Sequence, residues 1–174
     1  RRIVLFDGSA RLGMKILIAG GGRCNVTHHA VSERDYAGAT APSIRKVLRR
    51  FTVEDTVRFF EELGVRLKRE PTGKLSPVAD DARVVLEALL GAVRDAGAEL
   101  RHPCRVRGIA RAETSDGPPA KTGHGTGNGT GAGKPPAFRL DTDAGPIEAR
   151  KVVLATGGLS MPKTGSDGAG HGFA

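Results

Sequence analysis

The 174-residue chain has no tryptophan, a single tyrosine at Tyr36 and an aromatic content of only 4%. That scarcity argues against a surface that holds nucleic acid by stacking bases on aromatic rings. The two cysteines, Cys24 and Cys104, stand far apart, with no CxxC pair and no His/Cys cluster. Spacing therefore suggests neither a zinc site nor a disulfide framework, and each cysteine reads as a reduced, buried thiol. Every apolar run is short, and no charged, apolar and small-residue succession marks a signal peptide. No membrane segment is expected, and a cytoplasmic location is the default. The chain also lacks a GxGxxG: from Gly20 the pattern breaks at Asn25, and the GKP at Gly133 has no Ser or Thr to serve a P-loop. Any account in which this chain binds a nucleotide has to explain that absence.

What is present begins with charge and length. A formal charge of +8 attracts anions. With so few aromatics, an anionic small molecule accounts for it as well as nucleic acid does. The length suits one domain with a core of its own. The run "IVLF" at residues 3 to 6, ended by Asp7 and Gly8, has the pattern of a buried parallel strand. A second strand-like run, "ILIA", leads straight into Gly20, Gly21 and Gly22.

Helical periodicity then takes over. Ile44, Val47, Leu48 and Phe51 share one helix face, while Arg45, Lys46, Arg49 and Arg50 form a solvated basic one. Thr52 with Asp55 starts the next helix, Val57, Phe60 and Leu63 face inward, and Gly64 stops it. "PTGKLSP" reads as a turn. Asp80 or Asp81 caps a third helix carrying Val84, Val85, Leu89 and Val93, with Gly97 as its stop. Strands are expected near 98–101 and 104–110, and again at "FRLDT" and "IEARKVVLA". Between them, residues 114–136 hold the glycine-alternating tract "TGHGTGNGTGAG", which has too little apolar surface to order itself and reads as a flexible loop inside a hairpin.

Three features together point toward a dinucleotide. An apolar strand ending in an acid, "IVLFD", places the Asp7 carboxylate where ribose hydroxyls are held in a dinucleotide fold. Taken alone, Asp7 is better read as a turn acid beside Gly8. The glycine turn follows soon after. Near the other end, "KVVLATGG" brings an apolar strand to Thr156, Gly157 and Gly158, where missing side chains let backbone approach a cofactor. Each feature is weak alone, and their order makes them specific.

At "GMKILIAGGGRCNVT", "GKLSPVADDARVVLEALL" and "VVLATGGLSMPKTGSDGAG" the chain resembles the bacterial BaiN-like flavoproteins, the group that includes aminoacetone-oxidase-type FAD-binding enzymes. The resemblance implies an α/β fold, a partial FAD/NAD(P)-binding Rossmann-like domain with a parallel sheet, a helical segment and a β-hairpin or meander. It also implies that residues 1–174 are an internal fragment. The first strand with its GxGxxG would precede Arg1, which explains the missing motif, and an inserted substrate domain and a closing flavin segment would be absent as well. Carried over by position, Asp7 would hold the adenosine ribose, and Gly20, Gly21, Gly22, Arg23, Cys24 and Asn25 would line the pyrophosphate-to-flavin region, with Lys15 among the cofactor contacts. Val106 would meet the adenine through its backbone, and Ala155, Thr156, Gly157 and Gly158 would pass beneath the cofactor.

The chain departs from the family pattern at Met14, where a basic residue is usual, at His28, where Asn is usual, and at Ser76, where Phe is usual. These positions bear on substrate more than on FAD. The resemblance implies hydride transfer through FAD from NAD(P)H to an organic acceptor, with FAD-dependent amine oxidation as the enzymatic alternative. The fragment alone is expected to be inactive. No catalytic residue is identified: Cys24 has no resolving partner and reads as packing, and His28, His29 and His171 read as surface or capping residues. The alternative from another class is a basic nucleic-acid-binding module, against which the composition argues. A small-molecule substrate is expected.

Overall fold

The computed structural model describes residues 2–112 and 137–174, so the expected flexible loop at 114–136 lies outside the described residues. Strands alternate with helices in an α/β fold. Strand β1 (Val4–Phe6) pairs with β5 (Glu99–Arg101), and the bonds from Glu99 N–H to Ile3 O (2.9 Å) and from Asp7 N–H to Arg101 O (3.2 Å) run in the parallel sense. The chain divides into two units: Arg1–Leu5 with Arg11–Leu100, and Phe6–Ala10 with Arg101–Ala174.

In the first unit the residues of "KILIAGGG" that read as a strand are instead helix α1 (Met14–Ile18) followed by a 3-10 turn at Ala19–Gly22. Gly13, at φ 69°, lets the chain turn into the helix, and Leu17 N–H bonds Gly13 O at 3.0 Å. The core supplies the reason for the difference. Ile16 and Leu17, neighbours in sequence, both pack on the cluster of Cys24, Val65, Ala82 and Val85. A strand would have sent them to opposite faces.

The remaining helices lie where their sequence signals put them, but the apolar face expected from Ile44 to Phe51 is not buried: Val47 is 70% exposed, and Phe51, 57% exposed, falls beyond the helix end. Helix α2 (Ala41–Leu48) has Pro42 in its first turn, where a missing N–H costs nothing. Helix α3 (Val53–Glu62) opens on a reciprocal capping box between Thr52 and Asp55, and Gly64 stands beyond its end at φ 79°. Helix α4 (Ala82–Asp95) is capped by Asp81, whose side chain accepts the Arg83 N–H at 2.9 Å. Asp80 makes a different contact, an ion pair with Lys68. Val85 of α4 is 2% exposed at the centre of the core, and burying a valine so completely is worth ~1.5–3 kcal/mol.

"PTGKLSP" differs from its reading as a turn. Pro71 to Gly73 make the turn, but Lys74–Pro77 form β4, the middle strand of an antiparallel sheet between β2 (Thr27–His28) and β3 (Leu67–Arg69). Leu75, Ser76 and Pro77 are buried. Pro77 is tolerated because it stands at the strand's end.

The second unit contains the expected meander: β6 (Val106–Arg111), β7 (Phe138–Thr142) and β8 (Gly145–Ala149), antiparallel in that order, with Leu140 buried. The strand expected to continue through "KVVLA" stops at Ala149. Val153 is 86% exposed and Leu154 42%. A strand exists only when another backbone satisfies its N–H and C=O groups, and among the described residues no strand pairs with 150–155. The chain ends in helix α5 (Ala169–Phe173).

Candidate cofactor site

In the first unit the structure gathers Lys15, Gly20, Gly21, Gly22, Arg23, Cys24 and Asn25 on one helix-to-turn connection. Lys15 lies on α1, and the turn follows within one residue of its end. Gly20, Gly21 and Gly22 stand at φ 59°, 69° and 90°, a region closed to most side chains. They differ in why they lack one. A Cβ on Gly20 would lie 2.6 Å from Asn25 Oδ1, so a side chain there would displace the Asn25 amide. A Cβ on Gly21 would meet nothing within 4 Å, and one on Gly22 only Leu17 O at 3.9 Å. There the backbone is bare toward open space. Asn25 Oδ1 is buried without a hydrogen-bond partner among the described residues, which in a native fold calls for a donor from elsewhere.

Arg23 closes the turn. Its backbone N–H and that of Cys24 both bond Ala19 O. Its side chain donates from Nε to Gly20 O (3.3 Å) and pairs through Nη1 with Glu70 Oε1 (3.1 Å). Glu70, just past β3, also accepts the Ser76 Oγ–H at 2.8 Å on the same oxygen. Arg23 and Glu70 line an open depression of about 390 Å³ together with Lys68, Arg69, Pro71 and Asp80. The sequence does not single out Glu70, because nothing local marks an acid so far along the chain from Arg23. Ser76 is visible in the sequence only as a small polar residue where the family pattern has an aromatic one.

Cys24 is 6% exposed, and burial pushes its thiol pKa up. It stays protonated at neutral pH, so it behaves as a small apolar side chain and not as a nucleophile. Its φ of 64° is rare for a residue with a side chain. The neighbouring histidines are engaged by backbone: His28 Nδ1 lies 2.8 Å from Ala30 O and Nε2 3.1 Å from Thr72 O, while His29 Nδ1 lies 3.1 Å from Gly73 O. They tie β2 to the turn before β4. No cluster of three or more His, Cys, Asp or Glu suited to a metal occurs among the described residues.

In the second unit, Asp7 is half-buried at the end of β1. Its Oδ1 accepts Ser9 N–H at 2.8 Å and also the Ser9 hydroxyl, while its backbone carbonyl accepts Cys104 N–H at 2.8 Å. Among the described residues, the turn's hydrogen bonds to this side chain fall on Oδ1. Val106 opens β6 opposite Thr142, beside a bulge that shifts the register before Gly108. Ala155, Thr156 and Gly157 are exposed and belong to no helix or strand. Gly157 stands at φ 70°, and a Cβ there would come 2.8 Å from Ser166 Oγ. Gly158 has an ordinary φ, and a Cβ there would meet nothing within 4 Å, so nothing within the described chain requires a glycine at that position.

A family profile described as the HI0933-like protein Rossmann domain matches residues 1–126. Similar proteins include the ribosomal RNA dihydrouridine synthase of Escherichia coli, 28% identical over 174 residues, which is 100% of this chain and 38% of that protein. The 3-dehydro-bile acid delta(4,6)-reductase of Clostridium scindens is 28% identical over 173 residues, 99% of this chain and 37% of that protein. The ribosomal RNA dihydrouridine synthase of Haemophilus influenzae is 24% identical over 174 residues, 100% of this chain and 39% of that protein. The chain spans less than two fifths of the length of these curated relatives.

Proposed function

Because the chain belongs to the family of HI0933-like Rossmann domains, we propose that it is the cofactor-binding part of a flavin-dependent oxidoreductase, one that passes a hydride from NAD(P)H through FAD to an organic acceptor. The observation that carries this reading is the turn at Gly20, Gly21 and Gly22, three successive glycines at positive φ, where among the described residues a Cβ on Gly21 or Gly22 would meet nothing closer than 3.9 Å. A dinucleotide needs that kind of close approach. The buried, unpartnered Oδ1 of Asn25 and the half-exposed guanidinium of Arg23 add an acceptor and a cation that fit a ligand with both ring N–H groups and phosphates.

FAD supplies the electron chemistry when bound, taking up a hydride from the nicotinamide and yielding it to the acceptor. The chain's part is to bind and orient. Asp7 would accept hydrogen bonds from ribose hydroxyls through its carboxylate. Gly20, Gly21, Gly22 and Arg23 would offer backbone and a positive charge, Lys15 would add a second cation from α1, Val106 would offer backbone to the adenine, and Ala155, Thr156, Gly157 and Gly158 would pass beneath the cofactor.

The relatives' names narrow the acceptor. Dihydrouridine is uridine with its ring double bond saturated, and a delta(4,6)-reductase is named for removing ring unsaturation. Both are additions of two hydrogens to a carbon–carbon double bond, and we take a conjugated alkene as the acceptor class. An RNA acceptor is the second reading, favoured by the two dihydrouridine synthases and by Lys46, Arg49 and Arg50, exposed on and just beyond α2 in a stretch without acidic residues.

The test is made on the whole protein. It should purify yellow with close to one FAD per chain. Its flavin should bleach on adding NADH or NADPH without oxygen and recover its colour with an α,β-unsaturated ketone or with uridine-containing RNA. Recovery with RNA alone, lost at high salt, selects the second reading. A colourless protein that takes up no added FAD would sink the proposal.

A further inference from the structure

A turn of three consecutive glycines has a difficulty of its own. Glycine reaches positive φ without strain, but it also loses the most conformational freedom on being fixed, and no side chain locks it in place. Something outside the turn has to hold it. Three observations identify what does. Arg23 Nε donates to the carbonyl of Gly20 at 3.3 Å, so the guanidinium is bound to the first glycine. The same guanidinium pairs with Glu70 at 3.1 Å, and the Glu70 side chain is only 12% exposed. The Glu70 oxygen that makes this pair also accepts the hydroxyl of Ser76, which is 0% exposed on the central strand β4.

Glu70 is itself fixed at the backbone. Its N–H bonds Lys74 O and its carbonyl accepts Gly73 N–H, both at 2.8 Å. The carboxylate therefore sits on a rigid hairpin and is held from beneath by a buried hydroxyl. An exposed ion pair contributes little because water screens it and both side chains are mobile. Here the acid is nearly buried and already immobile, so the entropy of ordering falls on Arg23 alone. The other acid lining the depression, Asp80, is paired with Lys68.

We propose that Glu70 is the positioning residue of the glycine turn: through Arg23 it holds the Gly20 carbonyl, and with it the bare backbone of Gly21 and Gly22, in the shape that receives FAD. Glu70 touches no reacting atom. Ser76 sets the direction of the carboxylate, giving a use to the small polar residue at that position. The effect on FAD rests on the oxidoreductase reading, whereas the bracing of the turn does not.

The experiment compares the whole protein with E70A, E70Q and R23A, and with R23A/E70A combined. Hydrogen exchange on the apo protein needs no cofactor. The Arg23 and Cys24 amides, which bond Ala19 O, should exchange about tenfold faster in E70A, while amides of α4 keep their wild-type rates. FAD titration followed by flavin absorbance and fluorescence should show about tenfold weaker binding in E70A and about threefold in E70Q, which keeps an acceptor for Ser76 but loses the charge. Because Glu70 acts through Arg23, adding E70A to R23A should weaken binding no further.

Unchanged exchange at Arg23 and Cys24, equal acceleration throughout α4, or a full additional loss in the double variant would each overturn the proposal. Should E70A fail to fold, E70Q carries the same criteria. Should the wild-type protein bind no FAD, the oxidoreductase reading fails and the exchange measurement still decides the brace.

Discussion

Among the described residues, a Cβ on Gly21 or on Gly158 would meet nothing within 4 Å, yet the two make different probes. Gly21 stands at φ 69° and Gly158 does not stand in the left-handed region. Valine at position 21 carries ~1–3 kcal/mol of backbone strain whatever surrounds it, so Gly21→Val should lower the apo melting temperature together with flavin content. Gly158→Val adds an isopropyl group at a position without left-handed strain, where a Cβ meets nothing within 4 Å among the described residues. We expect it to leave the apo melting temperature unchanged while cutting the FAD content of the purified whole protein, measured as flavin released per chain. Full flavin occupancy in Gly158→Val would remove position 158 from the site.

Cys24 and Cys104 are 6% and 5% exposed. A maleimide added to the folded chain at neutral pH should therefore label neither until denaturant opens the core. Rapid labelling of Cys24 in the native state would show that the glycine turn opens on its own.

The β6–β7 hairpin is closed at both of its described strand ends. Arg111 faces Phe138 in register, and Ala112 N–H bonds Ala137 O at 3.0 Å. The strand ends are already where a tight turn would put them. Replacing residues 113–136 with a four-residue turn should shift the denaturant midpoint by less than ~1 kcal/mol in stability, since loop length enters closure entropy only logarithmically. A larger loss would mean that the replaced tract makes contacts of its own.

A second test concerns how α2 is tethered. Arg45 of α2 pairs with Glu33, and this hydrogen bond holds the Glu33 carboxyl down to about 2 from 4.5. The folded value lies below the unfolded one. Whatever the pair contributes is present above pH about 4.5 and is lost as pH falls toward about 2. Carboxyl NMR titration should place the Glu33 midpoint near 2, and Arg45→Ala should return it toward the ordinary glutamate range. An unshifted midpoint in that variant would mean that the backbone around Glu33 sets the value.

Strand β1 presents an open edge at the scale of the whole molecule. Among the described residues it is paired on one edge only, by β5, and Ile3 and Leu5 are 55% and 37% exposed. A two-stranded sheet is marginal in water, and an apolar open edge invites pairing with another chain. Residues 1–174 expressed alone should therefore self-associate, and Leu5→Lys should raise the fraction that stays monomeric in light scattering or sedimentation. The same change in the whole protein tests whether this edge is covered there: if Leu5→Lys lowers folding stability in the whole protein, a further segment packs on the strand. Equal solubility of the two forms of the short chain would show that the edge is harmless.

Local signals in the sequence were enough wherever the deciding interaction was local. Thr52 with Asp55, Asp81 before Ala82, and the glycines at 64 and 97 place the ends of α3 and α4 through bonds spanning a few residues. Period-two alternation in "FRLDT" likewise sufficed for β7. The three family-like motifs, likewise contiguous, pointed to the family.

Where partners come from elsewhere in the chain, the sequence is ambiguous. "ILIA" is as good a strand as a helix until α4 offers a surface that must take Ile16 and Leu17 together. "KLSP" looks like a turn until β2 and β3 flank it, and "KVVLA" like a strand although no neighbour satisfies its backbone among the described residues. The Arg23–Glu70–Ser76 chain is the extreme case. Arg23 and Glu70 come from distant segments, Glu70 meets Ser76 only once the β3–β4 hairpin has formed, and neither contact leaves a periodic trace in the sequence that makes it.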